Sequence, residues 1–511
     1  MNTHFINLTL TKLHTRPLAK TVPQALKCLM PLLMGKLLTP MTLTLVLTLI
    51  LTTAGCAHFV PVEPQAKPAS AAAIGMTSVA IQWPADRWWQ SYGVAELNTL
   101  IEQALSQAPG LKIAEARMRR AAADAGLVES TSKVQMIGVI DSTYERFSKN
   151  GIVPPPYGGT RQSLNNANVN ISLAIDFFGR NRALLDAAIG QVAASKADAQ
   201  SARVILAASV AKTYFNLARL FAQRKLANES LSLREQTRQL VQQRVTNGLD
   251  TNVDLRQAES NLPGTRLEIA QLDEQIALAR NQLAVLIGVA PDATKSIAPL
   301  FITTRDLSLP ASIPADLLGR RADIAAAKAR VEAATRSIDA TRAAFYPNIN
   351  LVAFVGFGSI GLSHWIDAGS AQYGIGPAIT IPIFAGGRLR ATLAANTADY
   401  DAAVETYNQI LLEAVRDVAD QISSTQSVTV QLTEQRDAQA AVEAAYLLVK
   451  KRYQAGLTNY LVVLTAENTV LAQRRQATEL KARALDLNIN LNRALGGGYL
   501  GDALPATSAQ P

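Results

Sequence analysis

The chain has 511 residues and a formal charge of +9, with 49% apolar residues but only 5% aromatics. Residues 1–55 hold five Lys or Arg and no acid, so more than half of the excess charge is N-terminal, and no basic-aromatic patch marks a nucleic-acid partner. Two cysteines outside any C-x-x-C pair and four scattered histidines exclude a disulfide framework and a zinc motif, and no G-x-x-x-x-G-K-[ST] offers an ATP site.

Residues 41–51 (MTLTLVLTLIL) form an uncharged apolar run of 11 behind Lys36. The run is too short to span a bilayer and has the shape of a secretion-signal core. Leu51-Thr-Thr-Ala-Gly-Cys56-Ala resembles a bacterial lipobox, with Thr53 where that box prefers Leu, Val or Ile. The expectation is a signal peptide over 1–55 and lipidation of Cys56; the alternative is an ordinary signal with a chance cysteine. Pro- and Ala-rich residues 57–82 read as a flexible tether within a segment 56–95. Trp88-Trp89 read as a packing anchor, and Glu96 to about Ser132 as one amphipathic helix.

From Val134 to Phe178 the apolar period changes to 2. Val169, Ile171, Leu173 and Ile175 alternate with Asn168, Asn170, Ser172, Ala174 and Asp176, as in a membrane strand with one lipid face and one wet face. A soluble antiparallel sheet shows the same alternation. The Pro/Gly-rich stretch 151–159 separates this strand from a partner near 134–147. A helix is then expected from Arg180 to Thr246, a run of 67 residues with one Gly and no Pro, roughly 100 Å long. Val210, Tyr214, Leu217 and Phe221 give it a coiled-coil seam.

Arg244 to Glu259 (RVTNGLDTNVDLRQAE) recurs 208 residues later as Arg452 to Glu467 (RYQAGLTNYLVVLTAE). The same offset pairs Arg180 with Arg388, Val210 with Val418, Leu283 with Leu491 and Gly288 with Gly496. The chain is therefore a duplication. Each copy holds a strand pair and two long helices joined by a Gly-Leu turn. The first repeat covers 96–288, with strands in 134–178 and a helical hairpin over 180–288. The second covers 315–496, with strands in 347–384, where Ile349, Leu351, Ala353, Val355 and Phe357 alternate, and a hairpin over 387–496, whose seam includes Leu411 and Val418. A Pro-punctuated connector, 289–314, joins them, and 497–511 form a tail expected to be mobile.

Four strands cannot close a barrel, and lipid tolerates no open edge, so several chains must share one. Two chains give eight strands, whose interior side chains would nearly fill; three give twelve, wide enough for a channel. The fold class is mainly α with membrane β. Carboxylates are scattered along the helices without a catalytic pair, and Gly386-Gly387 fit a strand-helix junction better than a phosphate loop. The reading is of no enzyme, no cofactor and no metal.

Ala174-Ile-Asp-Phe-Phe-Gly-Arg180, Arg320-Arg-Ala-Asp-Ile324 leading to Ala344-Phe-Tyr-Pro347, and Arg452 to Glu467 with Leu491-Asn-Arg-Ala-Leu-Gly496 carry a resemblance. They resemble bacterial outer-membrane efflux factors of the TolC/OprM type, in their NodT-like lipoprotein branch, over about Trp88 to Gly498. The resemblance implies a homotrimer with a shared twelve-stranded β-barrel in outer-membrane lipid and an α-barrel crossing the periplasm. It implies a periplasmic adaptor and an inner-membrane pump of RND, MFS or ABC type, exporting drugs or other small molecules; the alternative is a type I protein secretion channel. It also implies a periplasmic gate at the two helix turns. Asp254, six places after the first turn glycine, matches the family's acidic residue, and Tyr453, three before the second, matches its tyrosine. A hydrogen bond between the two is expected. Leu461 matches a leucine constriction, whereas Thr458 and Thr465 stand where other members carry charge. The expected gate is more apolar than charged.

Overall fold

The computed structural model describes residues 62–70, 83–302 and 317–501. The signal peptide, Cys56 and the second half of the connector lie outside the described residues. Two helices, α1 (Ala95–Gln107) and α2 (Pro109–Ser130), stand where one was expected. Pro109 has no N–H to donate, and Ala108 before it is extended at φ −58°, ψ 126°, so the helix stops and restarts. Strands β1 (Gln135–Arg146) and β2 (Arg161–Ile175) follow, then α3 (Arg180–Thr246) and α4 (Asn252–Ile287). The second repeat supplies α5 (Ala322–Ala343), β3 (Asn348–Ile360), β4 (Ala371–Thr380), α6 (Arg388–Gln454) and α7 (Tyr460–Ala494). Helices α3 and α6 have 67 residues each, close to 100 Å at about 1.5 Å per residue.

The four strands form one antiparallel sheet in the order β1-β2-β3-β4. The central seam therefore joins the two repeats, with Val169 opposite Val355, Ile171 opposite Ala353 and Leu173 opposite Leu351. Continuing across β4, Ile375 faces Ala353 and Ile379 faces Ile349, so apolar side chains line up in rows on one face of the sheet. Among the described residues, the outer edges of β1 and β4 have no partner strand. At the sheet's lower end, the Asp176 carboxylate accepts from the backbone N–H of Asn181 and Arg182 at 3.0 and 2.8 Å, capping α3. Phe178 stacks on Tyr346 beside it, at 4.9 Å between ring centroids.

The main core lies midway along the long helices. Trp88 and Trp89 are buried there with Leu97 and Ile101 of α1, Val210, Tyr214 and Leu217 of α3, Leu283 of α4, and Leu485 and Ile489 of α7. Each such side chain contributes roughly 1.5–3 kcal/mol on burial. A second cluster gathers Ile324 of α5 with Leu411 and Val418 of α6 and Leu491 of α7. Arg321 closes this region: it binds Asp323 in bidentate fashion at 3.0 and 2.6 Å and donates to the Ala494 carbonyl at 3.3 Å. Gly190 lets α3 and α5 touch, since a Cβ there would lie 2.9 Å from the Ala333 Cβ. Past α7 the chain does not fray at once. A Cβ at Gly498 would sit 2.4 Å from the Ala85 backbone, so the start of the tail is packed instead of loose.

Candidate functional site at the two hairpin turns

The turns between α3 and α4 and between α6 and α7 have the same backbone. Gly248 and Gly456 take the left-handed conformation at φ 74° and 76°. Leu249 donates to the Arg244 carbonyl and Leu457 to the Arg452 carbonyl, both at 2.8 Å, which is the Schellman closure of a helix C-terminus. Thr251 and Asn459 then cap the returning helices, accepting from Asp254 and Val462. Leu249 and Leu457 protrude at equivalent places, as do Val253 and Leu461 in the first turns of α4 and α7. Leu461 is 55% exposed and Val253 73%. The apolar rim is thus built twice, once per repeat.

The polar chemistry is built once. Arg244 sends Nε and Nη2 to the Asp250 carboxylate at 2.9 and 3.3 Å, and Nη1 to the Tyr453 carbonyl at 3.2 Å. The Tyr453 hydroxyl donates to Asp250 Oδ2 at 2.5 Å, and the Arg244 guanidinium lies over the Tyr453 ring at 4.6 Å. Tyr453 is only 1% exposed. Burial, and then the hydrogen bond to the Asp250 carboxylate, push its phenol well above the ordinary tyrosine range, so it stays a donor. The Arg244 guanidinium is held even more firmly charged than usual, chiefly by its bonds to Asp250. One carboxylate thereby ties α3, its own turn and the end of α6 together.

This arrangement corrects the expected Asp254–Tyr453 bond. The Asp254 carboxylate is committed to a capping box, accepting from the Thr251 N–H at 3.0 Å and from its hydroxyl at 2.6 Å. The single proton of Tyr453 goes to Asp250, four residues earlier. Three of these groups were visible in the duplication: Arg244 aligns with Arg452, Asp250 with Thr458 and Tyr453 with Val245. A position where two copies of one turn differ in charge is the signal that would have pointed to Asp250.

A second polar layer lies about 15 Å further along α3, ten residues at about 1.5 Å each. Arg234 donates to Glu467 of α7 at 2.9 Å, to Thr265 of α4 at 2.7 Å and to Asn468 at 2.9 Å. Glu467 is 3% exposed. Between the layers, Val241, Tyr446, Tyr453, Tyr460, Val463 and Leu464 form a small core. Burial, with the Glu467 charge nearby, pushes the Tyr446 phenol up to about 12. Among the described residues no group of three His, Cys, Asp or Glu could hold a metal. The two turns are joined to each other by hydrogen bonds from Arg244 and Tyr453.

Known proteins share this architecture. The profile of the outer membrane efflux protein family matches residues 100–289 and 313–497. The multidrug resistance outer membrane protein MdtP of Escherichia coli strain K12 is 31% identical over 436 residues, spanning 82% of this chain and 87% of that one. The fusaric acid resistance protein FusA of Burkholderia cepacia is 35% identical over 358 residues, 68% of each chain. The crystal structure of the outer membrane protein VceC of Vibrio cholerae superposes with a TM-score of 0.77 at 36% identity, covering 81% of this chain and all of that one. With the profile spanning both repeats and VceC sharing the fold over 81% of this chain, the chain belongs to the outer membrane efflux protein family.

Proposed function

We propose that three copies of the chain assemble into one drug-efflux conduit, closed at rest at the two hairpin turns. The observation that carries this reading is the sheet: four strands with aliphatic rows on one face and two unpaired edges. In lipid those edges must pair, and β1 of one copy meeting β4 of the next closes a twelve-stranded barrel. The long helices below it then surround a tunnel. Arg244, Asp250 and Tyr453 hold each pair of turns together, while Leu461, with Val253 at the matching place in the first repeat, narrows the bore by bulk and dewetting. Asp254 stabilises the start of α4 and is not part of the latch.

A periplasmic adaptor and an inner-membrane pump of RND, MFS or ABC type supply the force that opens the turns, since the chain carries no nucleotide motif. The relatives named for multidrug and fusaric acid resistance support small organic molecules as cargo. Lipidation of Cys56 adds a second hold on the outer membrane. Mass measurement in detergent tests the assembly, with a trimer expected and a stable folded monomer refuting it. Ile171→Pro removes a ladder donor from β2 and should abolish the trimer. In planar bilayers the wild type should conduct poorly, and variants of the latch should conduct more.

A further inference from the structure

Residues 62–70 (VEPQAKPAS) were expected to be flexible, yet they are tied to α6 at two places. Asp401 Oδ1 accepts from the backbone N–H of both Gln65 and Ala66 at 2.9 Å. Two turns further on, Asn408 accepts from the Ala69 N–H at 2.8 Å and donates to the Lys67 carbonyl at 3.2 Å. Pro64 and Pro68 hold the residues before them extended and have no N–H of their own to satisfy. Ala66 and Ala69, three apart, are half-buried, as a left-handed extended strand with three residues per turn requires. Ala69 packs on the cluster around Leu411 and Val418. Seven helical residues advance about 10 Å, close to the advance of four extended ones. The first repeat does not duplicate the site, because Ala193 and Gln200 occupy the matching places on α3.

We propose that Asp401 and Asn408 form a strap-binding site that fixes the tether to α6 and so sets the reach of the lipidated N-terminus. The strap and α6 run in the same direction, so the N-terminal end of the strap points toward Arg388 and the sheet. Asp401 stands thirteen residues into α6, about 20 Å from its start. Nine residues separate Cys56 from Gln65 and can span at most about 30 Å. The length of chain between Gln65 and Cys56 therefore exceeds the distance from Asp401 to the start of α6 by about 10 Å. The site is a ruler: it lets the acyl chains enter the same bilayer as the barrel while the strap remains bound.

The ruler rests on Cys56 being lipidated, whereas the strap site does not, so the experiment separates them. Hydrogen exchange is read at the amides of Gln65, Ala66 and Ala69 in the full mature chain. In protein exported without acylation, through an ordinary cleaved leader in place of residues 1–56, these amides should exchange at least tenfold more slowly than in the Asp401→Ala, Asn408→Ala variant. Equal rates overturn the strap site. Deleting residues 57–61 leaves four residues, about 14 Å of reach, which is less than the 20 Å required. In the acylated deletion variant the amides should lose their protection, and in its unacylated counterpart they should keep it. Protection retained in the acylated deletion variant overturns the ruler. Absence of acyl mass on the wild-type N-terminus overturns both the ruler and the lipidation of Cys56, leaving the strap site to the first comparison.

Discussion

The two hairpin turns share a backbone and differ in chemistry. Both close with a left-handed glycine and the same pair of carbonyl contacts, and both expose leucines at matching places. Only the first carries Arg244 and Asp250 as a half-buried ion pair, and only the second supplies the tyrosine that pair receives. Duplication fixed the geometry, and divergence of single residues then made one turn a socket and the other its plug. The same asymmetry recurs at the ends of the repeated motif. Glu467 is buried against Arg234, whereas its counterpart Glu259 pairs with Arg256 on the surface.

The largest expected effect breaks that last contrast. Glu467→Ala leaves the Arg234 guanidinium buried without its carboxylate, a loss of about 3–5 kcal/mol. Glu259→Ala removes an exposed pair worth roughly 0–1 kcal/mol. Urea unfolding midpoints of the two variants should differ accordingly, and Arg234→Met with Glu467→Leu should recover most of the loss. Similar midpoints for the two single variants would mean that the repeats are equivalent there.

Next comes the latch itself. Asp250→Ala should raise single-channel conductance strongly, because Arg244 and Tyr453 both lose their acceptor, while Thr458→Ala at the matching place should leave it unchanged. Tyr453→Phe deletes one bond to a charged group, about 1.5–3 kcal/mol, and should give a smaller rise. Asp254→Ala should cost about 1 kcal/mol of helix-cap stability with no change in conductance. If Asp254→Ala opens the channel and Asp250→Ala does not, the latch has been assigned to the wrong carboxylate.

The tyrosine also sets a pH dependence. Its phenol titrates above the ordinary value near 10, so the folded latch binds that proton more tightly than the unfolded chain does. Its stabilisation is therefore fully present below about pH 10 and is lost as pH rises beyond it. Conductance should rise on the alkaline side in the wild type, and this rise should be absent in Tyr453→Phe. The smallest change in stability should come from Leu461→Ala, since that side chain is largely exposed. Its conductance increase should depend little on salt, in contrast to that of Asp250→Ala.

Much of this was legible in the residues. The period-2 runs, the 67-residue segment from Arg180 to Thr246 and the Gly-Leu turns are local signals, and each lies in the element it suggested. What stayed hidden depended on partners remote in sequence or on one competing local bond. Asp254 looked available because its match to the family's acidic residue drew attention away from the T-x-x-D capping-box signature it forms with Thr251. Residues 62–70 looked loose because Asp401 lies more than 330 residues away. The break at Ala108 was readable from Pro109, but the flanking helical period masked it.

The β2–β3 seam also dictates an order of events. Some 170 residues separate the end of β2 from the start of β3. At about 5–20 residues per second, β1 and β2 are made roughly ten to thirty seconds before their neighbour exists. For that interval a two-stranded hairpin with an aliphatic face and an open inner edge must survive in water, where such a ribbon is marginal alone and prone to aggregate. The barrel portion of each chain is therefore a late product, and its first half depends on being shielded until the second arrives.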